Sequence, residues 1–242
     1  MSFSGKSSLF LALLNFLHTA GTVIVDGVDV SRLSRHDLRA RITTIPQDYT
    51  YIPGTVRDNL LPMDLLKDNT SKTVNPVAIE NVLRGVGLLE YIQQRGGIGM
   101  PIDDMDFSAG QKQLLGIARG ILHNLEYSTK IVLMDEPTSN MDYATELIIR
   151  QVLDEAFANC TRITITHRDA LLEYCNCTLE FHEGKLVAQT EKNVSVPSPQ
   201  ALPLAQEGTT TDPEGVTLLI EAWQRRQRLA EFQDEYEDLF LE

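Results

Sequence analysis

Two short stretches carry the side chains best suited to chemistry: Gly5-Lys6-Ser7-Ser8 near the start of the chain, and Asp135-Glu136 in its middle. Gly-Lys-Ser matches the end of the phosphate-loop pattern G-x-x-x-x-G-K-[ST]. Successive backbone N–H groups that open a helix form a cradle for an anion. In such a cradle Lys6 reaches terminal phosphates and Ser7 turns its hydroxyl to Mg²⁺. A triplet of this kind also arises by chance, so it needs company. "KIVLMDEP" supplies it. An apolar strand delivers Asp135 at its end, where a carboxylate holds Mg²⁺, usually through water. Glu136 follows, placed to take a proton from an attacking water. The bland alternative is a strand that ends in solvated acids. A third stretch, "DFSAGQKQ", puts Ser108, Ala109 and Gly110 in front of a helix, giving a second anion-seeking terminus. One nucleotide need not use both termini of a single chain. The simplest arrangement is a head-to-tail dimer, each nucleotide lying between one chain's Lys6 and its partner's Ser108.

The elements that must hold these residues are legible as short runs. Residues 6–18 are apolar almost all round, as suits a helix laid on a sheet. "TVIVDGVDV" reads as a hairpin turning at Asp26-Gly27, and "CTLEFHEGKLVAQ" as another turning at Glu183-Gly184. "RITTIPQD", "TKIVLMDEP" and "TRITITHR" read as buried strands. In "GQKQLLGIARGIL", Leu114, Ile117, Ala118, Ile121 and Leu122 share one helical face. Beyond residue 191 the composition turns to Pro, Thr and Gln, predicting a linker over 192–215. A helical pattern returns over 216–242, with Leu219, Ala222, Trp223, Leu229, Ala230, Tyr236 and Phe240 on one face.

Bulk properties exclude several classes. The chain has 242 residues and a net charge of −13, so nucleic acid is repelled by most of its surface. Cys160, Cys175 and Cys177 are odd in number and lack metal spacing, which reads as reduced thiols. No run is long and apolar enough for a transmembrane segment. "LFLALLNFL" imitates the core of a signal peptide, and this secretory alternative stands on that run and a few glycosylation sequons.

The order GKSS, "IPQD", "FSAGQ", "IVLMDEPTSNMD", "ITH" resembles the nucleotide-binding domain of ATP-binding cassette (ABC) transporters. "GTVIVDGVDVSRL…IPGTVRDNLLP" and "DFSAGQKQLLGIARGIL" are similar to the second such domain of the C subfamily, the multidrug-resistance-associated exporters. The resemblance covers Phe3 to about Gln189. It implies an α/β P-loop NTPase domain over 1–191, with a helical signature subdomain, and ATP with Mg²⁺ as cofactors. It also implies ATP hydrolysis coupled to transport, with a second nucleotide-binding domain and transmembrane domains as partners, at the cytoplasmic side of a membrane; expressed alone, the chain would be cytosolic. By resemblance, Gly5, Lys6, Ser7 and Ser8 form the phosphate loop. Asp135 holds the metal with Ser7 and Gln47, and Glu136 is the catalytic base. Gln47 and His167 contact the terminal phosphate. Ser108, Ala109, Gly110 and Gln111 are the signature residues, and Asp142 belongs to the loop that communicates across the dimer.

The sequence also departs from the pattern. The signature is most often LSGGQ, and Ala109 adds a methyl group where a backbone approaches phosphate. Phe3 stands where the family usually has a loop glycine. By the resemblance, the loop's first glycine, the adenine-stacking aromatic residue and the central strand leading into the loop would be expected before Met1. The expectation is a truncated loop, unpaired strand edges beside the gap, marginal stability and weak ATP binding. The competing class is a non-catalytic nucleotide-binding or regulatory module with a disabled loop. A chromosome-maintenance ATPase would need long coiled coils and a basic surface, and neither is visible.

Overall fold

The computed structural model describes residues 6–62, 74–167, 175–192 and 216–221. Gly5, most of the linker and residues 222–242 of the tail lie outside them.

The fold is organised by a six-stranded sheet in the order β3-β4-β5-β8-β6-β7. Its strands are β3 (Ile42–Ile45), β4 (Ile131–Asp135), β5 (Thr161–Thr166), β6 (Cys177–His182), β7 (Lys185–Glu191) and β8 (Val216–Glu221). β3, β4 and β5 run parallel, with Leu133 opposite Thr44 on one side and Ile163 on the other. β4 shows why such strands read as unbroken apolar runs. Val132 and Met134 point into one apolar cluster, Ile131 and Leu133 into the other, so both faces are covered.

One face carries α1 (Lys6–Leu13), α2 (Arg35–Arg41) and a small hairpin, β1 (Ile24–Val25) with β2 (Val28–Asp29). The hairpin turns at Asp26-Gly27 with φ of 49° and 77°, the positive pair that a tight two-residue turn requires. Phe10 is buried, and Leu9, Leu13 and Leu14 pack beside it against Leu133, Ile163 and Ile165 and against Leu179 and Phe181 of β6. The helix expected over 6–18 therefore stops at Leu13: residues 9–13 of the signal-like run are helix packed on this face of the sheet, while Phe16 and Leu17 at its end are exposed. Burial of this kind is worth about 1.5–3 kcal/mol per large apolar side chain.

The other face carries α3 (Val56–Leu60), α4 (Pro76–Gly85), α5 (Leu89–Gln94), α6 (Ala109–Tyr127) and α7 (Tyr143–Ala156). α6 is the long element of this layer. Ile117, Ala118, Ile121 and Leu122 are buried as the spacing predicts, Leu115 is buried beside them, and Leu114 alone of the expected stripe is only half-buried. α6 closes tightly on β3: a Cβ on Gly120 would lie 2.8 Å from a side-chain carbon of Ile45.

The tail departs from expectation. Val216–Glu221, read as the start of a helix, is strand β8, antiparallel to β5 and to β6. It joins the main sheet instead of forming a separate unit beyond a linker. Because β8 opposes both neighbours, β5 and β6 run in the same direction with one strand between them. The edges expected to lie open are paired: Thr164 and Thr178 both face Leu219. A helical face cannot form where the backbone is committed to two ladders. Among the described residues, no helix is long and apolar enough to cross a membrane.

Candidate functional site

The candidate site lies at the carboxyl ends of three parallel strands, where ligands bind in open α/β sheets. β3 leads to Gln47, β4 ends in Asp135 with Glu136 next, and β5 leads to His167. α1 supplies Lys6 and Ser7 from its first turn, with Ser8 exposed beside them. Gln47 Nε2 donates to Glu136 Oε2 at 3.1 Å, and His167 Nε2 stands 3.0 Å from Glu136 Oε1. Ser7 Oγ donates to Asp135 Oδ2 at 3.4 Å. Lys6 is buried. Burial lowers its pKa, opposed by the charges of Glu136 and Asp135. Burial, reinforced by Glu136, raises the pKa of Asp135, opposed by the Ser7 hydrogen bond and by the charges of Lys6 and His167. Residues more than a hundred positions apart in sequence thus meet around two carboxylates.

The turn after β4 is held in an uncommon shape. Glu136 has φ of 43°, a left-handed conformation that costs a non-glycine residue about 1–2 kcal/mol. Its N–H donates to the Ile165 carbonyl of β5 at 3.0 Å. Its own carbonyl accepts from Gln113 Nε2 at 3.0 Å and from the Ser139 N–H at 3.2 Å. Gln113, on the buried face of α6, also accepts the Asn140 N–H at 3.1 Å. Sequence reasoning passed over Gln113. Its signal was a polar side chain one turn before Ile117 on an otherwise apolar stripe. A second strut, also missed, is Arg119. Its Nη2 donates to Tyr49 Oη at 2.6 Å and its Nε to the Asn59 carbonyl at 2.6 Å, tying α6 to the segment after Gln47 and to α3. Burial pushes the Tyr49 hydroxyl up to about 12, against the pull of Arg119.

The signature residues are occupied locally. Ser108 caps α6, accepting the Gln111 N–H at 3.2 Å while its own N–H donates to Gln111 Oε1 at 3.0 Å, a reciprocal capping box. Ser108 and Ala109 face solvent, and Gly110 approaches the Asn140 carbonyl, which a Cβ there would meet at 3.4 Å. Asp142 caps α7 through the Thr145 N–H at 3.0 Å. The single chain does not bring its signature terminus into the Lys6 cluster through any of these bonds; each cap satisfies its own helix.

The donor set suits Mg²⁺. Ser7 Oγ and Asp135 Oδ2 are hard oxygen donors already side by side, and Gln47 turns its amide nitrogen to Glu136, leaving its oxygen for another contact. A divalent cation there would offset the burial and the Glu136 charge that together raise the Asp135 pKa.

A helix-borne Lys-Ser pair beside strand-end carboxylates, at the parallel β3–β4–β5 part of a sheet with helices on both faces, defines a P-loop nucleotide-binding domain. The ABC transporter family model matches residues 2–139, more than half of the 242-residue chain, so the chain belongs to the ABC transporter family. It is 35% identical over 187 residues to ABC transporter C family member 6 of Dictyostelium discoideum, covering 76% of this chain and 13% of that protein. It is 38% identical over 192 residues to ABC transporter ecdL of Aspergillus rugulosus, covering 78% and 12% respectively. The chain therefore spans 12–13% of the length of these curated relatives. The structure of a bacterial Atm1-family ABC exporter with ATP bound superposes with a TM-score of 0.66 at 24% identity, covering 78% of this chain and 32% of that chain. That likeness establishes the fold. Domains of this family bind ATP.

Proposed function

We propose that this chain is an ATP-binding and ATP-hydrolysing module of an ABC exporter, working head-to-tail with a second nucleotide-binding domain. The observation that carries the reading is the double hold on Glu136: one carboxylate oxygen is taken by Gln47 and the other is placed against His167. A carboxylate fixed at both oxygens is an oriented base, ready to accept a proton from a water lined up with a terminal phosphate. Lys6 supplies positive charge to the terminal phosphates. Ser7, Asp135 and Gln47 hold Mg²⁺, which when bound neutralises charge on the phosphates. Gly5 and Ser8 belong to the phosphate loop with Lys6 by the family's sequence pattern. Ser108, Ala109, Gly110 and Gln111, exposed or half-exposed at the start of α6, face the partner domain's nucleotide. Asp142, at the start of α7, lies in the loop that meets the partner. The chain sits at the cytoplasmic side of a membrane, where the transporter's transmembrane domains receive the motion.

Mg-ATP turnover by the full chain tests this. Glu136→Gln is expected to cut turnover by about 10²–10⁴-fold while ATP affinity holds. Equal turnover in the two forms removes Glu136 as base. The second reading, a non-catalytic nucleotide-binding or regulatory module, is favoured by Ala109, whose methyl group sits at an exposed helix terminus where a closer backbone approach is expected. It predicts ATP-independent partner binding and no turnover for Glu136→Gln to remove.

A further inference from the structure

We propose that Gln113 is the positioning residue of this site, setting the backbone of the base and of the partner-facing loop with one side-chain amide. The proposal rests on the ATPase reading for its kinetic consequence, and on geometry alone for its structural one. Gln113 is 3% exposed, so none of its polar atoms is satisfied by bulk water. Both donors of its amide nitrogen are used, one on the Glu136 carbonyl at 3.0 Å and one on Ser139 Oγ at 3.3 Å. Its oxygen takes the Asn140 N–H at 3.1 Å. The orientation of the amide is forced, because a carbonyl needs the nitrogen and an N–H needs the oxygen.

These three bonds close a bracket around residues 136–140. At one end is Glu136, in a left-handed conformation that local preference does not favour. At the other end is Asn140, two residues before Asp142, the N-cap of α7. The bracket stands on α6, the helix that opens at Ser108. A shift of α6 along its axis is therefore transmitted through Gln113 to the Glu136 backbone, and so to the carboxylate that Gln47 and His167 hold. Substrate contacts made by Lys6 and Ser7 do not pass through this bracket. The side chain orients the base and leaves the phosphate contacts alone.

The test uses the full chain with Gln113→Met, which preserves volume and removes all three bonds, and Ser139→Ala, which removes one. Two readouts are taken: amide hydrogen exchange across residues 136–142, and ATP turnover resolved into kcat and KM. Gln113→Met is expected to raise exchange at Asn140 at least tenfold and to lower kcat by on the order of 10- to 100-fold, with KM changed less than twofold. Ser139→Ala is expected to move both in the same direction by less. If Asn140 exchange is unchanged in Gln113→Met, the bracket is not what holds the loop, and the proposal fails. If KM rises as much as kcat falls, Gln113 serves binding and the positioning role fails. If wild-type chain shows no turnover, the ATPase reading fails, while the exchange measurement still decides the role of Gln113. If Gln113→Met does not fold, Ser139→Ala carries both readouts, and unchanged exchange and rate there overturn the proposal.

Discussion

Along the β3–β4–β5 half of the sheet, the strands run the same way and lead to Gln47, Asp135 with Glu136, and His167, whereas the β8–β6–β7 half runs in alternating directions and ends in no site residue. The central strand of the first half, β4, is buried on both faces: Val132, Leu133 and Met134 are each almost inaccessible. In the second half β7 is exposed at every position. The contrast teaches where chemistry can be kept. A carboxyl-end site needs neighbouring strands in parallel, so that several side chains of distant sequence origin emerge at one edge. An antiparallel strand sends its amino end there instead, and β8 does this with Val216 beside Phe181. Its contribution is backbone pairing, which closes the gap between β5 and β6 and steadies Ile165, the residue whose carbonyl holds the Glu136 N–H.

The contrast can be broken most strongly in the buried half. Leu133→Ala is expected to cost about 2–5 kcal/mol by chemical denaturation, through lost burial and a cavity between the sheet and α1. A cost below about 1 kcal/mol would mean that this half is not the packed one.

The next largest effect tests β8. Leu219 faces Thr164 on one side and Thr178 on the other, so its N–H is committed to a ladder. Leu219→Pro is expected to cost on the order of 2–3 kcal/mol and to raise hydrogen exchange in β5 and β6 while sparing β3. In the same strand, Ile220 stands opposite the native Cys177. Ile220→Cys is expected to form an intrachain disulfide with Cys177 on mild oxidation, and Leu218→Cys, displaced by two pairs, to form little. Equal yields from the two would remove the register.

A smaller effect sharpens the comparison at the parallel edge. His123 on α6 lies 2.9 Å from Thr43 of β3 through Nδ1, and burial lowers its pKa from 6.5 to about 4, partly offset by a backbone hydrogen bond with Arg39. The folded state thus binds its proton less readily than the unfolded state. Its stabilising effect is fully present above pH 6.5 and is lost as pH falls through about 4, by on the order of 3 kcal/mol. His123→Gln should flatten the stability profile in that window. An unchanged profile would show that this histidine titrates normally.

Much of the site was readable because each piece is announced locally. The turns at Asp26-Gly27 and Glu183-Gly184 follow from the positive φ their residues tolerate, and the strand ends at Gln47, Asp135 and His167 follow from apolar runs closed by polar residues. Gln113 was not readable in the same way, because a buried glutamine has meaning only once its three partners are in place. On α6 the expected stripe is buried except at Leu114, for a related reason. Spacing ranks Leu114 and Leu115 alike, and only the neighbouring sheet and helices decide between them.

What the sequence determined by itself is the inventory: a phosphate-seeking Lys-Ser pair, two adjacent strand-end carboxylates, and apolar runs of the right lengths in the order of the ABC transporter family. What only the tertiary structure decided is adjacency without sequence proximity: the grip of Gln47 and His167 on Glu136, the bracket of Gln113, and the docking of Val216–Glu221 into the main sheet. The physical reason is that helix and turn signals are set by bonds a few residues long. Strand partners and buried amides are instead chosen by groups far along the chain, whose satisfaction is settled only when the whole sheet closes.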